Sequence, residues 1–185
     1  MCTPDRPALV LGSSQDASTV DVEFCRASGI DVVRRRSGGG GVYVHPTESL
    51  WVDVVIPRDD ELWIDDIGRS MWWLGEAWSD SLASHGMGGL VVHNGALVAN
   101  DWSRTLCFAG VGPGEVMAGS SKVVGISQRR TREMARFQCI VYRTWDAELH
   151  ARMLPALTAD SEYVRSVATP VAGIERLALL GCSLG

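Results

Sequence analysis

Lysine is almost missing from this chain. Of its 17 basic residues, 16 are arginines and one, Lys122, is a lysine. An arginine bias is bland, but a single retained lysine raises the question of why arginine would not serve there. An ammonium is a compact point charge with three rotatable donors, whereas a guanidinium is a broad planar fork. A basic field is also lacking: the formal net charge is −5, which excludes a general nucleic-acid binder. No apolar run approaches the roughly 18 residues of a membrane-spanning helix. Met1-Cys2-Thr3-Pro4-Asp5-Arg6-Pro7 lacks a basic start leading into an apolar stretch, so the expected location is cytoplasmic. The cysteines at 2, 25, 107, 139 and 182 form no C-x-x-C pair, which argues against a disulfide framework. His45, His85, His93 and His150 show no ligand spacing, so no metal site is expected.

What is present fits a globular protein. Hydrophobic residues make up 46% and charged residues 21% of 185 residues, a length that predicts one domain over 1–185. Such a chain buries about 70% of the surface its unfolded form exposes. Ala8 to Leu11, Ile30 to Arg35, Val42 to Val44 and Leu50 to Ile56 read as strands. Ile64, Ile67, Met71, Leu74, Trp78 and Leu82 recur at helical spacing and predict a helix from about Glu61 to Ser84. Leu90 to His93, Thr105 to Phe108, Lys122 to Gln128 and Phe137 to Tyr142 read as further strands, with Asn94-Gly95 as a hairpin-type turn. Ala147 to Leu154, Glu162 to Val167 and Ile174 to Leu180 read as small helices. The order predicts an α+β fold, with a central mixed, mostly antiparallel sheet covered by helices.

Three segments carry candidate chemistry. Arg34-Arg35-Arg36-Ser37-Gly38-Gly39-Gly40-Gly41-Val42-Tyr43 places a glycine run between two strands, directly after three arginines. Glycines let backbone N–H groups approach a ligand closely and form an anion-binding concavity, and arginines add bidentate contacts to phosphate or carboxylate. The alternative is a flexible loop beside a solvated basic patch. Gly119 to Arg130 is a turn leading into a strand that starts with the only lysine. There Lys122 is either a solvated turn residue or a charge that stabilises a developing oxyanion. Leu106-Cys107-Phe108 sets a cysteine between large apolar residues, which reads as core packing or as a nucleophile activated by a nearby ammonium.

Taken together, these segments resemble the lipoate–protein ligase and octanoyltransferase family, whose catalytic domain is also similar to that of biotin–protein ligase. The resemblance rests on Arg34-Arg35-Arg36-Ser37-Gly38-Gly39, on Lys122-Val123-Val124-Gly125-Ile126-Ser127-Gln128-Arg129, and on Ala8-Leu9-Val10-Leu11-Gly12-Ser13-Ser14-Gln15. It covers about residues 6 to 145. It implies transfer of a lipoyl or octanoyl group to the side chain of a carrier-domain lysine. In ligases the route is an acyl-adenylate made from lipoate and ATP with Mg2+. On that reading Arg35, Ser37, Gly38, Gly39, Gly40, Gly41, Val42, Tyr43 and Gly125 line the acyl and adenylate pocket. Lys122 contacts the acyl carbonyl and the phosphate. The implied acceptors are lipoyl domains of 2-oxoacid dehydrogenase complexes or the glycine cleavage H protein, with no part for nucleic acid or membrane.

The resemblance leaves the route open. One class of transferases takes octanoate from acyl carrier protein through an enzyme cysteine in a Cys-Phe segment, and Cys107-Phe108 is similar to it. The Glu48 region is also more similar to the transferases. Gly112-Pro113-Gly114-Glu115 stands where ligases have Arg-Asn-Asp. His45 lies one place off the family's histidine, and no role passes to it. A non-catalytic acyl-binding member is the third reading. The family also has a helix and strand before the first motif and, in ligases, a small accessory domain after the catalytic one. The chain starts almost at the first motif and has no room for that domain, which the resemblance implies is supplied separately or is unnecessary.

Overall fold

Residues 4–173 are described by the computed structural model. The strands fall into two sheets. In the first, β1 (Ala8–Leu11) lies between β2 (Asp31–Arg34), which runs parallel to it, and β3 (Val42–Val44), which runs antiparallel. A parallel neighbour needs a crossover. Here a short helix, α1 (Val22–Ala27), supplies it. Asp21 caps α1 by accepting a 2.8 Å bond from Phe24 N, and Gly29 at φ 69° reverses the chain into β2. At six residues, α1 is too short to show a periodic stripe in the sequence.

The second sheet is antiparallel. It combines β4 (Ser49–Pro57), β5 (Leu90–Val92), β6 (Val116–Ala118), β7 (Ser121–Arg130) and β8 (Met134–Tyr142), in the order β4-β8-β7-β6-β5. Alternation along β8 divides the core. Phe137, Cys139 and Val141 join Leu74 and Leu82 of the long helix α2 (Trp72–Ser84) on one face. Ile140 and Tyr142 join Leu9, Leu11, Val42 and Val44 of the first sheet on the other. The second face carries the candidate site. The last described helices, α3 (Ala147–Met153) and α4 (Ser161–Ser166), close that side. The α+β expectation therefore holds, with the strands shared between two sheets.

Three local readings need correction. The helix expected from Glu61 starts at Trp72. Before it, Asp66 takes the N–H groups of Gly68 at 2.8 Å and Arg69 at 3.1 Å, which a helix from Glu61 would bond to its own carbonyls. Such side-chain turns compete with the helical ladder. Thr105 to Phe108 is not a strand: Leu106 makes one bridge to Gly41, and Cys107–Ala109 curls into a 3-10 turn. Asn94-Gly95 is not a tight hairpin. His93 N donates to Glu115 O at 2.9 Å, so the partner strand returns only after the excursion 94–113. That excursion pairs with itself at Val98 and Val111. The helix expected at Ile174 to Leu180 lies outside the described residues, and β6 was not foreseen.

Candidate functional site

The glycine run and the lysine strand meet through the segment 105–107. Gly41 N donates to Thr105 O at 2.9 Å, and Cys107 N donates back to Gly41 O at 3.0 Å. A Cβ on Gly40 would stand 2.6 Å from Leu106 N, so only glycine permits this approach. From the other side, the Lys122 Nζ donates to Cys107 O at 2.7 Å. Lys122 is 1% exposed, and its Nζ lies 5.4 Å from the centroid of the Phe108 ring. The solvated-turn reading of Lys122 is therefore overturned.

A bulge directs Lys122 there. Val116 pairs with Val124 but Met117 pairs with Lys122, leaving Val123 as an extra residue on β7. Gly125 lies on the site face, where its position for a Cβ is 3.3 Å from Phe108 Cε2 and 3.1 Å from Ile140 Cγ2. Strict alternation would turn Lys122, three residues away, to the opposite face. The extra residue restores it to the face of Gly125, as bulges re-aim side chains elsewhere.

Glu115 completes the lysine's surroundings. Its Oε2 lies 2.7 Å from Lys122 Nζ, and the two side chains are 4% and 1% exposed. Gly112 N donates to Glu115 Oε2 at 2.6 Å and Ile126 N donates to Oε1 at 3.1 Å. Buried charges need such pairing and hydrogen bonding. Glu115 was not singled out from the sequence. Its signal is that it is the sole carboxylate in 102–132, the stretch that also holds the sole lysine.

Arg35 serves inside the loop. It is 7% exposed, and its guanidinium donates to Ser37 Oγ at 3.0 Å, Val10 O at 3.0 Å, Gly38 O at 2.7 Å and Gly40 O at 3.0 Å. Burial draws its pKa down. Ser37 Oγ donates to Gln138 Oε1 at 2.7 Å and lies 3.1 Å from Ser127 Oγ, which fixes the loop to β7 and β8. Arg34 similarly clamps the turn after β1, donating to Gly12 O at 2.8 Å and Gln15 O at 2.6 Å. With its carbonyls held from below, the loop leaves Gly38 and Gly39 exposed. Among the described residues, the N–H groups of Gly38 to Gly40 donate to no backbone acceptor, unlike that of Gly41. That is the donor arrangement an anion requires.

Cys107 is half-buried and reduced. Burial pushes its thiol pKa up; Lys122 and Arg35 pull it down, and Glu115 adds to the rise. The resting group is a thiol. Val42 is buried in the first core. Tyr43 is half-buried, and its carbonyl accepts the Tyr142 hydroxyl at 2.8 Å. Beyond Tyr142 lies a cavity of about 140 Å³ lined by Tyr43, His45, Glu48 and His150 among others. His150 stacks on Trp145 at 3.9 Å between ring centroids. Its Nδ1 lies 2.6 Å from Asp146 O and its Nε2 has no partner. Burial lowers its pKa to about 4. The sequence offers no signal for this burial, because His150 sits alone on a short helix. Among the described residues, no group of three or more His, Cys, Asp or Glu side chains is placed to hold a metal ion. Nor is any described helix long and apolar enough to cross a membrane.

Solved structures share this fold. A T. acidophilum protein described as a lipoate protein ligase, with bound lipoic acid, superposes with a TM-score of 0.64 and 23% identity, over 89% of this chain and 59% of that one. Lipoate-protein ligase A bound with ATP gives 0.63 and 22%, over 89% and 60%. A bi-partite lipoate protein ligase from Thermoplasma acidophilum, studied with its E2 lipoyl domain, gives 0.59 and 19%, over 90% and 59%. The chain thus spans about three-fifths of the length of these relatives. No curated protein matches it. The family model for the lipoyl protein ligase A/B catalytic domain matches residues 1–181, and the chain belongs to that family.

Proposed function

We propose that this chain is an enzyme that attaches a lipoyl or octanoyl group to the side chain of a carrier-domain lysine, as a ligase working through an acyl-adenylate. The observation that carries the reading is the convergence of two distant motifs. Gly41, at the end of the glycine loop whose Gly38 to Gly40 N–H groups find no backbone acceptor, and the Lys122 ammonium both bond to the same short segment, 105–107. Backbone donors suit the phosphate of an adenylate, and the ammonium suits the charge that grows on the acyl carbonyl. In the first step the lipoate carboxylate would attack the α-phosphorus of ATP and pyrophosphate would leave. In the second, the carrier's amine would attack the acyl carbon and AMP would leave. The protein need only hold these groups in line. Relatives holding lipoic acid and ATP support both substrates, and the relative studied with an E2 lipoyl domain supports such domains as acceptors. Among the described residues no group of three or more His, Cys, Asp or Glu stands together, so Mg2+ would have to arrive on the ATP phosphates.

One observation favours a second route. Lys122 bonds to the carbonyl of Cys107, and Lys122 and Arg35 draw the thiol's pKa down against the larger effect of burial, in the sense a transferase nucleophile would need. In that route the thiolate takes octanoyl from acyl carrier protein and then yields it to the carrier lysine. Intact-protein mass after incubation with octanoyl-acyl carrier protein, without ATP, separates the two. The ligase reading expects no thioester on Cys107 and formation of lipoyl-adenylate when lipoate and ATP replace the thioester. A mass gain of one octanoyl group, lost in Cys107→Ser, would overturn it in favour of the transferase. Neither product with the wild type would leave a non-catalytic binder.

A further inference from the structure

An enzyme of this kind handles an acyl group activated toward amines, yet it places an amine of its own beside that group. An unprotonated Lys122 would be an acceptor. Its lone pair would attack the acyl carbon, the bond to sulfur or to the adenylate phosphate would break, and the amine proton would pass to solvent. The product is an amide on Nζ, and the enzyme is spent. Only the protonated form binds the acyl oxygen without taking the acyl group.

We propose that Glu115 is the residue that prevents this, by holding Lys122 as an oriented ammonium. Glu115 Oε2 stands 2.7 Å from Nζ in a buried pair. Two backbone N–H groups, of Gly112 and Ile126, hold that carboxylate in place, so it cannot swing away. The Cys107 carbonyl takes a second ammonium proton at 2.7 Å, and the Phe108 ring covers the group. A carboxylate at this distance, itself held by two N–H groups, pairs with the ammonium and fixes its direction in a buried site. The rest of the chain is consistent with the same demand. Its other 16 basic side chains are arginines, which thioesters do not acylate, so Lys122 is the one side-chain amine that needs guarding. Glu115 is then a positioning residue that acts through Lys122.

The inference rests on the acyl-transfer reading, but its test does not require turnover. Wild type and Glu115→Gln are incubated with an octanoyl thioester, treated with hydroxylamine to strip any thioester, and mapped by peptide mass. The expected result is a hydroxylamine-resistant octanoyl group on Lys122 in Glu115→Gln only, absent from Glu115→Asp and from the Glu115→Gln/Lys122→Arg double variant. A folded Glu115→Gln without the amide, or a wild type that acquires it, overturns the proposal. Should Glu115→Gln fail to fold, the wild type decides alone. Because the chain has one lysine, 15N-lysine labelling gives a single Nζ resonance. A slowly exchanging ammonium resonance, as the ion pair with Glu115 and the bond to the Cys107 carbonyl require, is expected, and a free-amine resonance refutes the guard. Failure of the acyl-transfer reading is distinct: no carrier lysine is modified with any donor, while the amide and Nζ results stand as they fall.

Discussion

Acidification acts on this fold through His150. Its pKa is about 4 in the native state against 6.5 for the free group, and burial is the cause. A depressed histidine pKa means that the unfolded chain binds the proton first, so stability rises with pH across the interval between the two values. Above pH 6.5 both states are neutral and nothing is lost. Below pH 4 both are charged and the full penalty is present. The interval of about 2.5 units, at 1.36 kcal/mol per unit, gives roughly 3 kcal/mol in all. At pH 5 about 2 kcal/mol has already been lost. Asp16 and Glu48, whose pKa values are lowered mainly by hydrogen bonds from Ser18 and Thr144, add losses of the same sign as pH falls. The assay must therefore be comparative. Urea unfolding of wild type and His150→Asn at pH 7.5, 6, 5 and 4.5 isolates the term. Wild type should lose about 2 kcal/mol more than the variant between pH 7.5 and 5. Parallel pH profiles for the two proteins would refute the assignment.

Other perturbations follow from the packing. Lys122→Ala leaves Glu115 buried and unpaired, so it should lower stability by about 3–5 kcal/mol as well as abolish acyl transfer. Lys122→Met/Glu115→Gln should regain most of that stability without activity, read by urea unfolding beside a transfer assay. Gly12→Ala would set a Cβ 1.8 Å from Gly39 O. The glycine loop must then shift, at a cost of about 1–3 kcal/mol, and adenylate formation should fall with it. Leu82→Ala empties a fully buried site under the second sheet and should cost about 2–5 kcal/mol; the Cys107 alkylation rate in the folded variant should stay unchanged.

Strong local patterns were legible. The strands at Ala8, Val42, Leu50 and Phe137 follow β-branched and apolar runs that no competing turn interrupts, and the structure places each of them as expected. The readings that failed did so where side chains intervene at short range. Asp66 captured the N–H groups of Gly68 and Arg69, which a helix from Glu61 would have needed. The 3-10 turn at Cys107 depends on Gly41, more than sixty positions away in the chain. Of the candidate site, the two motifs and the lone lysine stood out in the sequence because a glycine run and a single lysine are visible in composition, and the structure brings them to one segment. The partners of those residues were harder to read: Glu115 is marked for Lys122 only as the sole carboxylate in 102–132, and nothing local marks Gln138 for Ser37. His150 shows the same limit, since its burial is made by Trp145, Tyr43 and Tyr142 together.

The extra residue on β7 makes the site a matter of parity. Lys122 reaches Cys107 because an odd count has been inserted between it and the part of the strand that sets the sheet's register. Any one of Val123, Val124 or Ile126 can be exchanged for another apolar residue with modest effect on which way the lysine faces. Removing a single residue between Lys122 and Gly125 would leave a hydrogen-bonded strand of ordinary composition and turn the lysine toward the core beneath α2. This segment is thus open to substitution and closed to changes of length. A variant library of insertions and deletions, rather than of point mutations, would find its sharpest boundary there.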